Sequence, residues 1–461
     1  MLDEQIAKSV LDSAIDSGAD FCDIFVEKKN LNTIQVLSSK VHSINSGIDF
    51  GVGIRLIFGT KILYGYSNSI EREEMLRITG ILSSMDRKDP VTTVKAFDFL
   101  SFENIHPSLY GLDGNTDIQD KIDYLMLFDK TARAHHNKVS QVNAYVIQKM
   151  QEVEIFNTEG LYTTDTRHYT RVVGSVIAED NGEQSNGYDG PGSLSGWEFS
   201  KTVEPKQFAE EVAKQAITKL YADSCPSGKM PVILDNGFGG VIFHEACGHL
   251  LETTSVAKKA SAFYDKMDQA IASECVNAVD DGTLANKWGS ENIDDEGMPT
   301  QKTQLIKDGK LVNFMVDKVG SMKTGYSKTG SGRRESYRFP PASRMRNTYI
   351  ENGRSTLEDM ITSIDSGVYC KKMGGGSVSP GTGEFNFNAQ EIYFIKNGKI
   401  DKPLKSATLI GTGPEVLNQI CMVGNNLELA AGMCGSISGQ VPTTVGQPAI
   451  KLKEILVGGN K

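Results

Sequence analysis

Residues 243–251 read FHEACGHLL, and the spacing inside that run restricts the local backbone more than any other feature of the chain. Glu245 directly follows His244, and His249 comes five positions after His244. Four steps along a regular helix turn a side chain by about 40°, whereas five turn it by about 140°. An unbroken helix therefore points these two imidazoles nearly apart. A π-type bulge can absorb one residue. Alternatively the helix ends near Gly248, which tolerates unusual dihedrals, or the two histidines are core residues with no shared task. Only 7 histidines occur among 461 residues, so a pair this close with a glutamate between them favours a shared metal ion.

Zinc takes neutral imidazoles held in fixed directions. A carboxylate beside it can take a proton from the attacking water and pass it to a leaving amine. His244, Glu245 and His249 supply those groups. Several residues could be the third ligand. Cys247 lies three positions after His244 on the same helical face, yet also reads as a small buried thiol. Glu252 can ligate or merely orient a ligand. Asp265, Cys421 and Cys434 are remote candidates, and spacing does not choose among them.

The composition narrows the function classes. A formal charge of -10 repels a phosphate backbone, and RRESYR at 333–338 is the nearest thing to a basic cluster, so direct nucleic-acid binding is not expected. The 7 cysteines are scattered without a CxxC pair, which fits a reducing cytoplasm better than a disulfide scaffold. The opening MLDEQIAKSV has no signal-peptide character, and no run approaches the roughly 18 apolar residues of a membrane span. A soluble, cytoplasmic protein with no membrane contact is expected.

Apolar periodicity predicts a helix over 3–17, capped by Asp3, then strands at DIFVEKK, NTIQVLSS, GVGIRLIFG and KILYGYS. Helices are expected at 70–86, 118–134 and 207–222, with strands between 138 and 180. QLIKDGKLVNFMV and EIYFIKNGKI each read as strand, Lys-Asp/Asn-Gly-Lys turn, strand. GPEVLNQICMV at 413–423 is a short helical candidate. The expected class is α+β, an N-terminal helix and antiparallel-sheet region with a strand-rich C-terminal domain, divided as 1–135, 136–225 and 226–461.

Two further stretches are candidate substrate contacts, and a third is a candidate gate. Gly239 and Gly240, in GFGG, can bring backbone close to an extended peptide, and the order is not that of a dinucleotide loop. Arg333, Arg334 and Tyr337 can grip a carboxylate or steady an oxyanion. KMGGGSVSPGTGEF at 372–385 has no GK[ST] and reads as a mobile loop that can gate the site.

HEACGHLLETTSVAKKASAF resembles the active-site segment of the TldD/PmbA family, also known as modulators of DNA gyrase. NTEG at 157–160, IDDEGMPTQKTQLIKDGKL at 293–311, SGRRESYRFPPASRMRNTYI at 331–350 and AGMCGSISGQVPTTVGQPAI at 431–450 carry the likeness along nearly the whole chain. The metal motif sorts it with the TldD branch, since the PmbA branch lacks that motif. The resemblance implies a zinc-dependent peptidase acting on peptides or partly unfolded proteins. It implies His244, His249 and Cys434 as zinc ligands, Glu245 as the catalytic carboxylate, and a homodimer or a heterodimer with a PmbA-like subunit. The tail departs from the family in reading GSISGQVPTT where relatives often carry a lysine after Cys-Gly. The alternative is a non-enzymatic regulatory binding protein of a gyrase or toxin–antitoxin system.

Overall fold

A computed structural model of the chain describes residues 1–109, 118–379 and 382–459. Helix α1 (Glu4–Asp16) begins where Asp3 accepts from the N–H groups of Gln5 and Ile6. It ends before Gly18, whose φ of 90° reverses the chain. Strands β1 (Phe21–Leu37), β2 (Lys40–Phe58) and β3 (Lys61–Ser67) follow as an antiparallel meander. DIFVEKK and NTIQVLSS are thus one strand, not two. Asn30, the expected break, pairs with Ile48 on one side and Met150 on the other, and that continuous ladder overrides the local turn signal.

Helices α2 (Arg72–Ser83) and α3 (Ile118–His135) match the expected amphipathic runs. The long strands Val139–Asn157 and Leu161–Asp180 extend the sheet by pairing next to β1. Residues on both sides of position 135 therefore build one eight-stranded sheet. Alternation sends Ile24, Val26, Val52 and Ile54 toward α1 and α2. Helices α3 and α4 (Pro205–Leu220) cover the neighbouring part of the sheet through Phe128, Phe208 and Val212. The opposite face carries Phe25, Val153 and Ile155 and packs on Ile293 and Tyr337 of the C-terminal region.

Among the described residues that region holds a two-stranded ladder of Gly332–Arg333 with Ala342–Ser343 and two larger sheets. In one, five strands close into a ring: Ser366–Val378, Gly228–Leu234, Ile450–Gly459, Ala407–Thr412 and Glu384–Lys396 pair in that order, and the last returns to the first. The expected loop at 372–385 is mostly the tip of this hairpin. Bulges at Lys372, Met373 and Gly376 let glycines stay within the ladder. Pro380 and Gly381 lie outside the described residues, and with them any reading of the tip as a gate. The second sheet has six strands and ends with Asn347–Ile350, Gly439–Gln447 and Glu428–Ser436.

Both Lys-Asp/Asn-Gly-Lys turns form as expected. Asp308 and Gly309 have φ of 48° and 75°, and Asn397 and Gly398 have φ of 50° and 70°, the double left-handed geometry of a two-residue hairpin. The helical candidate at 413–423 splits into a helix (Gly413–Gln419) and a strand (Ile420–Val423), because Ile420 and Val423 pair with the Ile450–Gly459 strand. Among the described residues no helix is long and apolar enough to cross a membrane.

Candidate metal centre

The Gly228–Leu234 strand leads through a tight turn at Gly237–Gly240 into helix α5 (Val241–Ala246). The five-residue spacing is resolved by stopping the helix. Cys247 leaves helical geometry with φ −130° and ψ −51°, and Gly248–Leu251 resume as a tighter 3₁₀ turn. Gly248 is needed for space, not for a left-handed dihedral. A Cβ there would sit 2.2 Å from Met345 Sδ. The break turns the two imidazoles toward each other, with ring centroids 5.0 Å apart and planes at 81°.

The third donor arrives from the edge strand Glu428–Ser436. Cys434 Sγ lies 3.2 Å from His244 Nε2 and 3.3 Å from His249 Nε2. The three donor atoms lie within 4.8 Å of one another. Two zinc–nitrogen bonds and one zinc–sulfur bond at tetrahedral angles put sulfur about 3.6 Å from each nitrogen, so both sulfur–nitrogen distances suit such an ion to within a few tenths of an ångström. Burial alone would raise the Cys434 thiol, but the charge and hydrogen bond of His244, joined by His249, hold it well below its ordinary value. Burial also opposes charge on His249, yet the Glu252 carboxylate and Cys434 hold that imidazole well above its usual range. Both shifts describe donors gathered around a place suited to a cation.

Glu245 stands beside the cluster, partly exposed, with Oε2 3.8 Å from His249 Nε2. Glu252 is not part of the cluster. Its Oε2 sits 3.1 Å from His249 Nδ1, the ring nitrogen facing away from Cys434. Cys247 is fully buried in the core, Cys421 donates toward the Lys451 carbonyl at 3.5 Å, and Asp265 is an exposed side chain beside Lys266.

A cleft of about 990 Å³ runs beside the edge strand and reaches Met433, the residue before Cys434. Thr444, the cross-strand partner of Ala431, gives its N–H to Arg346 O on the far side at 2.9 Å. Ala431 therefore sits in a non-hydrogen-bonded pair with its own N–H and C=O turned outward, and by alternation so do Leu429 and Met433. The Trp288 indole donates to Gly432 O at 2.8 Å and braces this edge.

The other sequence candidates have internal partners. Gly240 packs on Gly446 and Gly239 on the Gln447 side chain, so both seat α5 against the Gly439–Gln447 strand. Gly239 also lines the cleft. Arg333 pairs with Glu291 at 3.0 Å and donates to Met345 O at 2.6 Å. Arg334 lies over the Phe25 ring and donates to Asp295, while the Tyr337 N–H donates to Glu27 at 2.9 Å. All three are buried in the seam between the N-terminal sheet and the C-terminal region. Their charge in the sequence suggests an exposed cluster. A carboxylate from a distant segment, Glu291, explains the burial of Arg333, whereas the Arg334 guanidinium is held by the Asp295 and Phe339 carbonyls, the Tyr64 hydroxyl and the Phe25 ring. Sequence reading also missed Trp288 and Arg344, which have no local pattern to mark them.

An α+β chain with a His–His–Cys cluster beside a glutamate and, among the described residues, an unpaired strand edge has the make-up of a metallopeptidase. The PmbA/TldA metallopeptidase C-terminal domain model matches residues 227–459, the central domain model 112–220, and the domain 1 model 22–79. The Metalloprotease TldD homolog of Haemophilus influenzae is 36% identical over 99% of this chain and 97% of its own length. That of Buchnera aphidicola from Acyrthosiphon pisum is 35% identical over 95% and 93%. The crystal structure of TldE from Thermococcus kodakarensis superposes with a TM-score of 0.79 at 18% identity, covering 98% of this chain and 100% of that one. The chain belongs to the PmbA/TldD metallopeptidase family.

Proposed function

We propose that the protein is a zinc-dependent peptidase that hydrolyses extended peptides or partly unfolded proteins. The observation that carries this reading is the gathering of His244, His249 and Cys434 donor atoms within 4.8 Å, with the Glu245 carboxylate beside His249. In the proposed site those three residues hold the ion. When bound, zinc supplies Lewis-acid polarisation of a carbonyl and acidifies water. Glu245 takes the proton from the attacking water and delivers it to the departing amide nitrogen. The outward N–H and C=O groups of Leu429, Ala431 and Met433 pair with the main chain of a peptide laid along the cleft. Main-chain pairing selects for an extended substrate over a folded one and makes few demands on its side chains.

The relatives named as metalloproteases support the same activity. A second copy or a PmbA-like subunit is the proposed partner, and the cytoplasm the proposed location. A chain with net charge -10 gives no support to direct contact with nucleic acid. The test is metal quantification on the purified protein, alone and with a PmbA-like neighbour, followed by incubation with casein. The Glu245→Gln variant is expected to keep its zinc and lose cleavage. Full activity in that variant removes Glu245 from the mechanism. A metal-free chain that stays inactive with its neighbour present favours a regulatory binding role in a gyrase or toxin–antitoxin system.

A further inference from the structure

We propose that Arg344 is a positioning residue that locks the two halves of the metal centre together, acting on Cys434 through its carbonyl and on His249 through Glu252. The proposal rests on the zinc peptidase reading. The site has a construction problem. Cys434 lies 190 positions from His244 and 185 from His249, and among the described residues its edge strand has one neighbouring strand. An edge strand can slide or fray, and a shift well under 1 Å would spoil a coordination sphere.

Arg344 fills the gap between the halves. Its side chain is only 1% exposed. Nη2 donates to the main-chain carbonyl of Cys434 itself. Nη1 donates to Ser438 Oγ at 3.0 Å and to Gly439 O at 2.8 Å, which pins the turn that returns the edge strand to its partner. On its other side Arg344 Nε faces Glu252 Oε1 at 3.9 Å, and the second oxygen of Glu252 meets His249 Nδ1 at 3.1 Å. Arg344 Nε and Glu252 Oε1 are both buried without another hydrogen-bond partner among the described residues. A shift of about 1 Å joins them at normal hydrogen-bond length.

The chemistry needs this arrangement. A carboxylate buried beside the ligand histidine is tolerable when a cation balances it. The balanced carboxylate then accepts the Nδ1–H of His249, which fixes the ring and leaves the Nε2 lone pair for the ion. A planar guanidinium reaches strand, turn and carboxylate at once because its five N–H groups point in fixed directions. An ammonium keeps the charge but not the fork. Arg344→Lys therefore separates geometry from charge.

The experiment uses the full-length protein as wild type, Arg344→Lys, Glu252→Gln and the double variant. Zinc affinity is measured by competition with a chromogenic chelator. Cobalt substitution reports the thiolate-to-metal charge-transfer band, and thermal melts of the metal-free forms report the fold. The expected result is zinc affinity weakened about 10–100-fold in each single variant. The cobalt band should shift or broaden in both, the metal-free melts should lose some stability but stay cooperative, and the double variant should lose less zinc affinity than the product of the two. Zinc affinity within twofold of wild type in Arg344→Lys overturns the positioning role while leaving the peptidase reading intact. So do losses that multiply independently. A wild-type chain that binds neither metal overturns both.

Discussion

Replacing Gly240 with alanine tests how the two ligand-bearing elements are held in register. Gly240 is the residue before α5, and its nearest neighbour is the backbone of Gly446, in the strand that pairs with the Cys434 strand. An alanine Cβ would lie 2.5 Å from the Gly446 nitrogen, carbonyl carbon and oxygen. Packed carbon contacts need about 3.5–4.0 Å, so roughly 1 Å must be found, and both sides are main chain. The overpacking cost is about 1–3 kcal/mol, and the movement separates His244 from Cys434. Gly239→Ala is the control, because its Cβ meets the end of a side chain, Gln447 Nε2, at 2.7 Å. Swinging that amide away costs the hydrogen bond to Asp235 O, about 1 kcal/mol. Urea unfolding and zinc competition read the two effects. Gly240→Ala is expected to lose the larger stability and about tenfold or more in zinc affinity, with Gly239→Ala keeping its zinc affinity. If both variants keep wild-type stability and zinc affinity and instead raise KM for peptide, the reasoning fails and the glycines serve substrate.

Arg55 is fully buried and bridges Asp23 of the N-terminal sheet to Glu296 of the C-terminal region, the latter at 2.8 Å. Arg55→Met leaves two buried carboxylates without their cation and is expected to cost about 3–5 kcal/mol; a urea midpoint that moves by less than the equivalent of about 1 kcal/mol refutes that cost. Burial and the nearby Glu296 charge push the Asp317 carboxyl up to about 6 from its ordinary 3.8. A folded-state value above the unfolded one means the folded chain holds that proton more tightly, so stability falls as pH rises from about 4 through 6, by at most about 3 kcal/mol. Asp317→Asn is expected to flatten that part of the stability–pH curve, and an unchanged slope between pH 4 and 6 counts against the assignment.

Much of the fold is legible where a local rule and the tertiary context agree. The Asp3 cap, the helices at 72–83, 118–135 and 205–220, and both Lys-Asp/Asn-Gly-Lys turns follow from periodicity and turn chemistry, and the packed sheets accept them unchanged. The errors fall where long-range pairing outbids a local signal. Asn30 reads as a break but is zipped between two neighbours. The glycines at 374–376 read as loop but lie in a bulged hairpin. The arginines at 333 and 334 read as surface charge but are buried against Glu291 and Asp295.

By itself the sequence determined that His244, Glu245 and His249 stand together, because six consecutive residues cannot be far apart, and that a regular helix cannot turn both imidazoles to one ion. The family likeness pointed to Cys434. The fold decided how the break is made, at Cys247 and with room under Gly248, and it brought Cys434 across 190 positions to 3.2 Å from His244. It also decided that Glu252 faces the back of His249 and that Arg344 spans both halves. Periodicity records which face of an element is buried. It carries no record of what a different element, folded from a remote part of the chain, will lay against that face.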